Sequence, residues 1–93
     1  MKIYKYRLPI QPLVAITVPK GRHKFVKVAE QHKGELYVWV LVSESDLMKE
    51  LRLIIKGTGH VIEDQLVDHY IDSVCCTDGY VWHVFEEAQD DQE

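Results

Sequence analysis

Residues Leu36-Tyr37-Val38-Trp39-Val40-Leu41-Val42 form an unbroken apolar run that constrains the fold more than any other segment. Valine and the aromatic residues suit a pleated strand, and a charge-free run this short reads as a strand. Successive strand side chains point to opposite sides, so an apolar residue at every position makes both faces apolar. Such a strand is expected to be covered on both sides.

The rest of the chain reads as further short strands separated by turn signals. Lys2 to Leu8 alternates, with Tyr4, Tyr6 and Leu8 on one face, and Pro9 and Pro12 end it. Leu13 to Val18 groups Val14, Ile16 and Val18 ahead of a Val18-Pro19-Lys20-Gly21 turn. His23 to Glu30 carries Phe25, Val26 and Val28, and His32-Lys33-Gly34-Glu35 predicts a hairpin turn. Ser43 to Met48 is a polar connection with room for one helical turn, and Leu51, Leu53 and Ile55 share a face in the strand after it. Ile62, Leu66 and Tyr70, spaced four apart, predict a helical turn leading into a strand over 70–75. Thr77-Asp78-Gly79 then reverses the chain before a last strand, Tyr80 to Phe85. The expectation is a mainly β protein: a small antiparallel sandwich or barrel of about seven strands with one or two short helical turns. Residues 1–86 read as a single β-domain, and residues 87–93 as an acidic tail expected to fray.

With 46% apolar and 28% charged residues, the 93-residue chain has the composition of one globular domain. No apolar stretch approaches the ~20 residues of a membrane-spanning helix. The start, Met1 to Arg7, lacks the apolar core of a signal peptide, so a cytoplasmic location is expected. Cys75 and Cys76 are adjacent and would face opposite sides of a strand, which predicts free thiols. Charge is uneven along the chain. Residues 1–33 hold eight lysines and arginines against Glu30 alone, whereas residues 34–93 hold three against fourteen acids. Either the two halves mix within one fold, or the sheets separate a basic face from an acidic one.

Gly57-Thr58-Gly59-His60 is the one segment that breaks the strand pattern without ending the domain. Two glycines around a threonine can take up positive φ and present backbone N–H groups and an imidazole. An anion-binding nest is one reading. However, no helix start follows the glycines, and Glu63 and Asp64 lie close by. His60 and His83, with Asp72 or Cys75, are the conceivable metal ligands, yet their spacing matches no zinc signature. Neither a metal nor a cofactor is expected, and a histidine bonded to sheet backbone at the glycine turn is the favoured reading. Cys75 or Cys76 beside His83 offers a thiol–imidazole pair, but no nucleophile turn or oxyanion loop accompanies it. No enzyme activity is expected. Nucleic-acid binding would draw on Lys2, Lys5, Arg7, Lys20, Arg22, Lys24, Lys27 and Lys33, with Tyr4 and Tyr6 for stacking. The overall pI of about 5.7 argues against it.

Several segments occur in a familiar order: Lys2-Ile3-Tyr4-Lys5-Tyr6, Val18-Pro19-Lys20-Gly21, Trp39-Val40-Leu41-Val42, Gly57-Thr58-Gly59-His60, Tyr70-Ile71, Asp78-Gly79 and His83-Val84-Phe85-Glu86. In these the chain resembles an uncharacterised family of small proteins encoded by tailed bacteriophages and prophages. The resemblance implies a phage origin and a compact β-fold, and it implies no reaction. Where that family carries an aspartate- and proline-containing loop after the tryptophan strand, this chain has Ser43-Glu44-Ser45-Asp46. The expected function is that of a non-enzymatic accessory protein in the host cytoplasm. It would bind a host or phage protein to inhibit a bacterial defence system or host enzyme, and a homo-oligomer is expected. Two alternatives are a small-molecule or nucleotide-binding module and a structural virion component. Gly57, Thr58, Gly59, His60 and His83 are the candidate ligand- or partner-binding residues.

Overall fold

The inward row of the apolar run organises the molecule, a computed structural model that describes residues 1–87. Seven strands form: β1 (Lys2–Leu8), β2 (Leu13–Pro19), β3 (His23–His32), β4 (Glu35–Val42), β5 (Met48–Gly57), β6 (Tyr70–Cys75) and β7 (Val81–Glu86). A 3-10 helix, Asp64–His69, precedes β6. Strands β1-β4-β3 make sheet A and β2-β5-β7-β6 make sheet B, with every pairing antiparallel. This is the expected sandwich of seven strands, with a single helical segment among the described residues. Ser43 to Leu47 contains no helical turn, and β5 begins directly at Met48.

Leu36, Val38, Val40 and Val42 of β4 are wholly buried against an inward row from sheet B that includes Leu51, Leu53, Ile55 and Val84. Tyr6 and Leu8 of β1 and Val14, Ile16 and Val18 of β2 complete the core. The outward row of β4 behaves differently. Tyr37, Trp39 and Leu41 are only half-buried, on the side of sheet A turned away from sheet B. Among the described residues, full cover is therefore found on one side of this strand and not, as expected, on both. The side chains of the flanking strands shield the outer row only from the sides.

The two sheets are stitched along one margin. Strand β3 carries a bulge at Val26 and β6 one at Ile71, so the facing edges do not continue the ladder. Carboxylates bridge the gap instead. Asp72 Oδ2 accepts the Val28 N–H at 2.9 Å. Glu30 accepts the Gly34 N–H at 2.7 Å and the Thr77 N–H at 2.9 Å, tying the β3–β4 turn to the β6–β7 turn. His23 accepts the Lys49 ammonium at Nδ1, 2.9 Å, which leaves its Nε2–H to donate to Glu86 at 3.1 Å. Cys75, the last residue of β6, is exposed and Cys76, just beyond the strand, is buried, and both are free. Glu87, assigned by the sequence to the tail, is held by β5. Its N–H donates to Arg52 O and its carboxylate pairs with the Arg52 guanidinium at 3.2 Å. The remaining tail, 88–93, lies outside the described residues.

Leu36→Ala is expected to lower stability by about 2–5 kcal/mol in urea denaturation. Leu41→Ala, on the uncovered row of the same strand, should cost about 1 kcal/mol or less. Equal losses would mean that the outer row is covered as well. Glu30 supplies a pH test. The Gly34 and then the Thr77 backbone N–H hold its carboxyl below the ordinary 4.5. A depressed folded-state value gives stability that is complete above pH 4.5 and lost as pH falls below it. The thermal midpoint of the native protein should therefore drop more steeply in that acid range than that of Glu30→Gln.

Candidate functional site

The two glycines of the 57–60 loop serve different ends. Gly59 has φ 92°, the left-handed conformation that closes the bend. Gly57 is needed for close approach, because a Cβ there would sit 3.1 Å from His60 Cε1 and 3.4 Å from the Trp82 ring. His60 returns to Gly57 twice, its N–H donating to Gly57 O at 3.1 Å and its Nδ1 accepting the Gly57 N–H at 3.0 Å. The second bond has a plain cause. Strand β2 pairs with β5 only as far as Ile54, so the edge N–H groups beyond it need other acceptors. Pro12 O takes that of Ile55, and the imidazole takes that of Gly57. His60 is thus a cap on a strand edge, and two of the backbone N–H groups a nest would use are spent within the turn.

His83 lies elsewhere. Gly57 pairs with Trp82 on the inward row, whereas His83 is on the outward row of β7, opposite Lys56 and Ser73. Its Nε2 meets Thr58 Oγ1 at 2.8 Å and its Nδ1 meets Ser73 Oγ at 2.7 Å, and Ser73 continues to Tyr70 OH at 2.7 Å. The chain of hydroxyls and imidazole fastens the loop to β6 and uses both ring nitrogens. Of the five sequence candidates, Thr58 and His83 come together, while His60 sits over Gly57 on the other face of sheet B. The two imidazoles therefore have separate partners, His60 the Gly57 backbone and His83 the Thr58 and Ser73 hydroxyls. Among the described residues, no three His, Cys, Asp or Glu side chains are grouped to hold a metal ion. His83 bonds neither cysteine, and burial pushes the Cys76 thiol upward. Asp72, the other suggested ligand, is occupied with Val28 and Ser73 backbone N–H groups.

Beside His60 lies a largely apolar hollow of about 460 Å³, bordered by Ile10, Pro12, Leu13, Ile54 and Trp82. Trp82 stacks on the exposed Tyr80 ring, centroids 5.9 Å apart. Its buried indole N–H finds no acceptor among the described residues.

The outer face of sheet A joins cations that the sequence offered for nucleic-acid binding to the aromatic residues of the apolar run, a combination that sequence reasoning missed. Register places Lys5, Trp39 and Lys27 side by side across the three strands. Arg7, Tyr37 and Ala29 form the next row, and Ile3, Leu41 and Lys24 the row on the other side. The Val26 bulge is the reason Lys24 and Lys27, three apart in sequence, both face outward while Phe25 and Val28 turn in. Simple alternation cannot reproduce that parity. Tyr4 and Tyr6, expected as stacking residues, instead lie on the inward row with Val40 and Val38. Lys5 Nζ lies 4.9 Å from the Tyr37 ring centre, and Tyr37 OH donates to Glu35 at 2.9 Å. Arg7, Lys24 and Lys27 enter no ion pair among the described residues.

Residues 1–93, the whole chain, match the family model described as Domain of unknown function (DUF7352), and the protein belongs to that family. No curated protein and no solved structure matches it.

Gly57→Ala is expected to destabilise the fold by about 1–3 kcal/mol through overpacking against His60 and Trp82. In Gly57→Ala/His60→Ala the crowding is relieved, so the two losses should be less than additive by at least ~0.5 kcal/mol. Strict additivity in thermal or urea unfolding would contradict the packing of imidazole on glycine.

Proposed function

We propose that this protein is a non-enzymatic accessory protein of the phage kind, acting in the host cytoplasm by docking an acidic host or phage macromolecule on the outer face of sheet A. One observation carries this reading: the central strand presents the half-buried Tyr37, Trp39 and Leu41 on the outward side of sheet A, bordered by Lys5, Arg7, Lys24 and Lys27. Aromatic residues and arginine are the types that dominate binding energy when desolvated. The surrounding cations favour a partner of opposite charge. Inhibition of a defence system or host enzyme would follow from occupying that partner. No helix among the described residues is long and apolar enough to cross a membrane.

The test is a comparison of baits on host lysate. A species retained by the native protein should be lost with Trp39→Asp, and kept with Tyr80→Ser on the other sheet. Retention that ignores Trp39→Asp would remove sheet A from the proposal.

A second reading is favoured by the hollow beside His60: a small apolar or aromatic ligand, with a nucleotide as the polar variant. A thermal shift with a ligand panel that disappears in Leu13→Asp would support it. The unpaired outer edges of β1 and β2 favour self-association, as a virion component would need, and light scattering reads the oligomer directly.

A further inference from the structure

We propose that the partner taken by the outer face of sheet A is single-stranded nucleic acid, its bases stacking on Trp39 and Tyr37 and its phosphates running along the lysines and arginine of β1 and β3. This rests on the docking reading above and goes further by naming the occupant.

Three features of the face select that chemistry. The two rings stand next to each other on the central strand, centroids 6.5 Å apart with their planes tilted by 54°, so each would take a separate, splayed base. Trp39 lies directly between Lys5 and Lys27 in the register, so cations flank it on both sides. With strands ~4.8 Å apart, these two backbones lie ~10 Å from each other, astride the aromatic row. Arg7 stands beside Tyr37 on β1, Lys5 Nζ lies 4.9 Å from the ring centre, and the His32 ring of β3 meets Tyr37 edge-on at 6.2 Å, which makes the half-buried Trp39 the principal stacking surface. Glu35, at the end of β4 and bonded to Tyr37 OH, is the one acid on the outward positions of these strands. Glu30 faces the other way and is held by the Gly34 and Thr77 N–H groups. The major groove of a duplex admits a two-stranded ribbon whereas this face is three strands wide, and paired, stacked bases would not offer their faces to the rings. An acidic protein would meet the cations but leaves the ring spacing without a role. The net charge of −4 does not oppose the contact locally, because Glu35, at the end of β4, is the single acid against Lys5, Arg7, Lys24 and Lys27 on the outward positions of these strands.

The experiment is fluorescence anisotropy with a labelled oligothymidylate of about 12 nucleotides, within the range of such platforms. Quenching of Trp39 is read in parallel in a Trp82→Phe background. Binding should weaken about 50-fold between roughly 50 and 200 mM salt if four cations each release a counterion from a single strand. Trp39→Ala should weaken it a further ~5- to 100-fold, the loss of one stacked base, with Trp39→Phe recovering most of that. Lys5→Glu/Lys27→Glu, on solvated positions that leave the core intact, should abolish binding at the higher salt. The inference is overturned if duplex DNA or polyglutamate binds as tightly as the oligonucleotide, or if Trp39→Ala has no effect. Polyglutamate binding that needs Lys5 and Lys27 would leave the docking reading standing with an acidic protein as partner. Failure of every polyanion to bind would remove both.

Discussion

Burial of one row of β4 is the constraint on which the rest depends. Leu36, Val38, Val40 and Val42 lose all contact with water, and each such side chain contributes about 1.5–3 kcal/mol. The row contains only valine and leucine, so the opposing sheet can approach to the usual ~10 Å of a packed sandwich. Leu51, Leu53 and Val84, equally excluded from water, face it from the second sheet. Once this row is inside, the period of two forces Tyr37, Trp39 and Leu41 outward. The binding face is thus a by-product of the core. A strand made apolar at every position has only one side that this small chain can cover.

The margins of the sandwich show how the chain keeps two sheets from merging or sliding. Paired bulges at Val26 and Ile71 spoil the ladder where β3 and β6 meet, and Asp72 satisfies the stranded Val28 N–H. Glu30 clamps the two hairpin turns beyond that point. The same bulge in β3 sets the parity that turns both Lys24 and Lys27 to the surface. One local irregularity therefore closes the fold and arranges the charges of its exposed face. At the opposite margin, β1 and β2 are the edge strands of their sheets, and among the described residues no carboxylate bridges them.

The glycine loop has a structural occupation of its own. His60 replaces a missing strand neighbour for Gly57, and Thr58 holds His83, which holds Ser73 and Tyr70. These bonds run on opposite faces of one sheet and fix the end of β5 from both sides. What they leave open is the hollow bordered by Trp82 and the 10–13 segment.

Alternation and turn residues by themselves determined the strand count, the antiparallel class, the hairpins at Gly34 and Gly79, the helical turn before β6 and the opposed cysteines. These are local consequences of side-chain direction and of which residues tolerate positive φ, so a linear chain records them. The capping role of His60 was legible too, because a histidine after a glycine bend has backbone within reach. Only the tertiary structure decided which row of β4 meets the core, that His60 and His83 part to opposite faces, and that Lys5 and Lys27 flank Trp39. Those outcomes depend on register between strands distant in sequence and on a bulge that shifts parity by one. Neither leaves a periodic trace in the chain.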